Sequence, residues 1–109
     1  MGNFTENLAQ LVSVDHIARL DLLDPQGAVV ASIENKPGSQ GSLKVYSHLA
    51  DKWGCIDAAA AQEGLALYAE HGEDARLNPG KHPNIDRLFE IIAGGATYSV
   101  KFIPQEPAS

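Results

Sequence analysis

The chain has 109 residues, 44% of them hydrophobic and 20% charged, the proportions of one folded domain and not of a disordered segment. Fourteen acidic against eight basic side chains give a formal charge of −6, and with no run of basic residues this excludes sequence-independent nucleic-acid binding, which needs cations to displace counterions from phosphates. No apolar stretch approaches the roughly 18 to 20 residues of a membrane helix, Met1–Thr5 carries no signal-like segment, and the lone Cys55 leaves no internal disulfide, so a soluble, cytoplasmic protein is expected.

Thr5 to Val12 reads as a short helix, with Thr5 as its cap and Leu8, Leu11 and Val12 as its apolar stripe. From His16 to Leu23, Ala18, Leu20 and Leu22 alternate with Arg19 and Asp21, the period of a strand. Asp24-Pro25-Gln26-Gly27 is a turn, and a second strand follows over Ala28 to Ile33. Setting Leu23 opposite Ala28 puts Leu22 on Val29, Leu20 on Ala31 and Ala18 on Ile33, a uniformly apolar face. A slip of one residue would set Leu20 against Ser32, so the pattern selects the first register.

Glu34 to Ser42 is a polar connection, and a helix is predicted from about Leu43 to Trp53, with Gly54 as its stop. Asp57 caps the next helix, which turns Ala61, Leu65 and Tyr68 inward and ends near Gly72. Gly64 within it costs ~1 kcal/mol relative to Ala, which points to close packing there. Glu73 to His82 is a second polar loop with room for one helical turn. Pro83 opens a further helix with the stripe Ile85, Leu88, Phe89 and Ile92, ended by Gly94-Gly95. Tyr98, Val100 and Phe102 alternate in a third strand, and the tail from about residue 104 is expected to fray.

These elements make one α+β domain over residues 1–109, in the order α-β-β-α-α-α-β, with a three-stranded sheet and helices mainly on one face. The neighbour of the last strand is not readable. The hairpin's other face keeps Ile17, Leu23, Ala28 and Val30, to be covered by the N-terminal helix or by a second subunit, which makes a homodimer one expectation.

Two loops hold the residue types of a binding site. In the first (34–44), Lys36, Gly38, Ser39, Gly41 and Ser42 run into a helix start with Lys44 in its first turn; glycines admit an anion, helix amides bind it and lysine adds charge. Gly41 is not followed at once by Lys and Ser or Thr, so the phosphate-loop pattern fails, and Ser42 as a plain helix cap is the structural reading. The second loop (73–84) holds Lys81 and His82. Around it, His71, Glu73, Asp74 and His82 are a candidate divalent-metal set, at a spacing that matches no recognised ligand motif. His16 and His48 read as surface or interface histidines and Cys55 as a small buried thiol. No nucleophile elbow, paired-cysteine zinc motif or dinucleotide fingerprint is present, and no cofactor is implied.

The stretches Ile33 to Tyr46 (IENKPGSQGSLKVY) and Tyr68 to Leu88 (YAEHGEDARLNPGKHPNIDRL) resemble a family of short, mostly proteobacterial proteins of unknown function. The resemblance covers nearly the whole chain and implies a bacterial, cytoplasmic protein; it assigns no activity and no functional residue. The residues themselves favour a non-catalytic binding or regulatory module that holds a small anionic ligand or an acidic protein segment where the two loops meet. The alternatives are a small metal-dependent enzyme using His71, Glu73, Asp74 and His82, and a structural homo- or hetero-oligomer subunit.

Overall fold

The computed structural model describes residues 3–105. Its sheet has the order β2-β1-β3, antiparallel throughout, with β1 (Ile17–Leu23) between β2 (Val29–Glu34) and β3 (Ser99–Pro104). The last strand therefore pairs with the first. The helices are α1 (Phe4–Ala9), α2 (Gln40–Trp53), α3 (Ala58–Tyr68), α4 (Glu70–Leu77) and α5 (Pro83–Gly94).

This is the expected α+β order with one addition. The segment read as the start of a polar loop is helical: Ala69, at φ 51°, breaks α3 from α4, and Gly72 and Ala75 supply the buried side of α4. Two small inward residues make too faint a stripe to be read as a helix. The first helix also starts earlier than expected. Asn3, not Thr5, caps it, accepting from the Glu6 amide while the Glu6 carboxylate accepts from the Asn3 amide. Likewise α2 begins at Gln40, which places Ser42 inside its first turn and not at its cap.

The hairpin register is displaced by two residues from the expected one. Leu20 faces Ile33 and Leu22 faces Ala31, with a bulge after Leu22. The turn explains the difference. The Asp24 carboxylate accepts from the Gln26 and Ala28 amides, at 3.0 and 2.9 Å, so the chain reverses through the five residues Asp24–Ala28, one more than the expected turn, and the bulge adds the second residue of displacement. At Leu20 and Leu22 a displacement of two leaves the side chains on their faces, so alternation fixes parity but not distance, whereas past the bulge Val29 lies opposite Leu23 and not Leu22 and is exposed.

Leu20, Leu22 and Ile33 meet Leu43, Tyr46, Leu49, Ile56, Leu88 and Ile91 in the core. Gly64 lies where α3 meets α2 and α5; a Cβ there would stand 2.8 Å from Leu88 Cδ1 and 2.9 Å from Leu49 Cδ1, the close packing its cost implied. Trp53, the last residue of α2, is 40% exposed, beneath the Lys52 ammonium.

The outer face of the sheet is polar at its centre. Asp21, only 5% exposed, accepts from Arg19 Nε at 3.0 Å and Ser32 Oγ at 2.7 Å, and these bonds, that from Ser32 first, lower its pKa. Ile17 is buried, whereas Ala28 and Val30 stay exposed. The first helix packs on α3 and α2 and not over this face. Pro104, where fraying was expected to begin, pairs with Ile17, and the Gln105 amide donates to the His16 carbonyl; residues 106–109 lie outside those described. No described helix is long and apolar enough to cross a membrane.

Candidate functional site

Local hydrogen bonds fold the first loop back on the sheet. The Asn35 side-chain amide donates to the carbonyls of Val14 and Ile17, and Ser39 Oγ to the Glu34 carbonyl at 2.6 Å. Gly38, at φ 94°, allows the reversal into α2 that a side chain would strain. The Asn78–His82 connection is closed by the Gly80 amide donating to Asp86 and the Lys81 amide to the Asn78 carbonyl. Pro83 then starts α5.

The two loops meet. Between α1, the start of α2, the junction of α3 with α4 and the start of α5 lies a cleft of about 440 Å³. Gly38, Gly41 and Ser42 form one side of it, and Lys81, His82 and Asn84 the other, with His71 between them and Phe4, Leu8, Tyr68 and Ile85 as apolar wall.

Its charge is organised by Asp74. That carboxylate receives His82 Nε2 at 2.6 Å and Lys81 Nζ at 3.0 Å, and the His82 hydrogen bond, followed by that of Lys81, pushes its pKa down to about 2. The His82 ring, 5.9 Å from that of His71, continues through His71 to Phe4 at 4.8 Å and from Phe4 to Tyr68 at 5.3 Å. Tyr68 donates its hydroxyl to Ser42 Oγ at 2.7 Å, and burial raises its pKa above that of a free phenol. Opposite, Tyr46 donates to the Asn84 carbonyl and receives Arg87 Nη1, which also holds the Asn84 side chain, so the first turn of α5 is fixed from below.

Of the sequence-predicted residues, Gly38, Gly41, Ser42, His71, Lys81 and His82 come together here. Three do not. Lys36 pairs with Glu34 at 3.1 Å, Ser39 is spent on the Glu34 carbonyl, and Lys44 donates to the Leu8 carbonyl at 3.2 Å, bracing α1. In the candidate metal set, Glu73 pairs with Arg76, and among the described residues no group of three His, Cys, Asp or Glu side chains is placed to hold an ion.

Phe4, Leu8, Tyr68 and Asn84 were not singled out from sequence. Tyr68 counted as core, which it is at 2% exposure, and nothing local to Phe4 announces a partner 64 residues away. Elsewhere, His48 bonds Glu63 at 2.7 Å, and His16 lines a separate cleft beside Phe102. The Cys55 thiol is half-buried and its pKa is raised by burial and by Asp57, the opposite of what thiolate chemistry requires.

Residues 4–102 match the model of a family described as an uncharacterized protein conserved in bacteria (DUF2322), and the chain belongs to that family. No curated protein and no solved structure matches it.

Proposed function

We propose that this family member is a non-catalytic binding or regulatory module that holds a small anion, or the carboxylate of an acidic protein segment, in the cleft between its two loops. One observation carries the reading. Neither Ser39 at the head of α2 nor His82 at the head of α5 caps its helix with a side chain, and first-turn residues of both helices, Gly41, Ser42 and Asn84, line the same cleft. Uncapped first-turn amides and the positive ends of two helix dipoles favour an anion, each dipole by ~0.3 to 1 kcal/mol. Lys81, His82 and His71 stand beside them, so an anion arriving there shares with Asp74 the donors that Asp74 already gathers.

A metal-dependent enzyme draws less support, because Glu73 is engaged by Arg76 and leaves His71, His82 and a carboxylate already bound to Lys81. A subunit interface on the outer sheet face draws less as well, because Arg19, Asp21 and Ser32 cross that face. A cytoplasmic location fits a chain whose one cysteine is a free thiol.

The test is calorimetric titration with inorganic phosphate, pyrophosphate and succinate. Lys81→Met should weaken the anion that binds by about tenfold, the loss of one charge-assisted hydrogen bond, while Lys36→Met leaves it unchanged. Failure of every phosphate and carboxylate tried, with or without an organic group, to bind, or equal effects of the two lysine variants, would refute the proposal.

A further inference from the structure

We infer that the ligand is a flat ring bearing one anionic group, an aryl carboxylate or aryl phosphate, and not a bare or straight-chain anion. The inference rests on the anion reading above and adds the part of the ligand that the anion site does not explain. The rings of Tyr68, Phe4, His71 and His82 form an unbroken row, stacked at 17° between the first two and edge-to-face along the rest. The row ends at His82, which shares the Asp74 carboxylate with Lys81. A ring seated along it finds stacking and edge contacts, and its substituent reaches Lys81 and the uncapped turn of α5.

The remaining apolar wall agrees. Leu8 and Ile85 complete it, and Tyr68 offers no free hydroxyl there, because Ser42 accepts its proton. A compact inorganic anion would leave this wall in water. The first helix, which carries Phe4 and Leu8, buries no residue fully, so its inner side chains still have apolar surface to cover. The volume, about 440 Å³, lies in the lower part of the range for small-molecule clefts and suits one ring system with one charged group.

The experiment compares phenyl phosphate and phenylacetate with inorganic phosphate and acetate, and with uncharged benzyl alcohol, by calorimetry on the whole chain. One ring-bearing anion should bind about tenfold or more tighter than its ringless counterpart, the equivalent of one aromatic pair with its buried area, and which of the two does so identifies the anionic group. Phe4→Leu keeps apolar bulk against Gly41 and should bring the ring-bearing anion to within about twofold of the ringless one. In the unaltered protein, the same ligand should shift the ring-proton resonances of Phe4, His71 and His82, a readout that needs no variant to fold. Equal affinities with and without the ring would overturn the inference and leave the anion site standing. Benzyl alcohol binding as tightly as the aryl anions would overturn the anion reading, as would failure of every anion to bind.

Discussion

Gly64→Ala sets two known effects against each other at one methyl group. In an exposed helix interior this change stabilises by ~1 kcal/mol through backbone entropy. Here the new methyl would sit 2.8 Å from Leu88 Cδ1 and 2.9 Å from Leu49 Cδ1, and both leucines are fully buried. Each must retreat within the core to reach ordinary contact, and such overpacking costs ~1 to 3 kcal/mol. Sterics should prevail, leaving the variant less stable by about 1 kcal/mol, a fall of ~4 °C in melting temperature for a chain of this size. Thermal unfolding of Gly64→Ala beside Gly94→Ala gives the measurement, because a Cβ at Gly94 meets nothing within 4 Å. In a Leu88→Val background, where a methylene has been removed, Gly64→Ala should turn neutral or stabilising. A higher melting temperature for Gly64→Ala in the unaltered chain would refute the argument, showing that the packing of α3 against α2 and α5 yields freely.

The buried phenol of Tyr46 has its pKa pushed up to about 12, by burial first and despite the nearby Arg87. The fold favours the neutral form, so this contribution is intact below ~pH 10 and is lost as pH rises from there through about 12; melting temperature should fall across that window, and less steeply in Tyr46→Phe. Asp74→Asn removes the carboxylate that competes with a bound anion for Lys81 and His82, and at surface screening phosphate should bind ~3-fold tighter; weaker binding would mean that Asp74 positions those two side chains. The same variant should lose the acid dependence of Asp74, whose stabilising contribution is present above ~pH 4 and fades as pH falls towards about 2. Asp21→Asn breaks charge-assisted bonds to Arg19 and Ser32, and with Arg19 half-exposed the cost should be ~1 kcal/mol in urea unfolding, vanishing in acid, where the native carboxylate is protonated too.

What could be read from sequence was what is local and periodic. The Leu20–Leu22 alternation and the Ile85–Leu88 spacing each mark a face that water must not reach, and those faces are buried. What alternation cannot report is distance along the strand, so the register of β1 on β2 waited on the Asp24 carboxylate and the loop that it closes. The fourth helix was hidden for a related reason: its inward side consists of Gly72 and Ala75, which bury little apolar area and write no stripe. The cleft divides along the same line. Glycines, lysines and helix starts are legible one loop at a time, and their residue types made both loops candidates, whereas the absence of a side-chain cap on α2 and α5 is seen only in the fold. Their convergence is tertiary, as is the row of rings, because Phe4 reaches Tyr68 only when its backbone amide finds Glu70 and the Asn7 side chain finds the Leu67 carbonyl. Residues that read as core by pattern, Tyr68 above all, thereby become the wall of a site, and the part of a ligand that would touch them cannot be inferred from the charged loops alone.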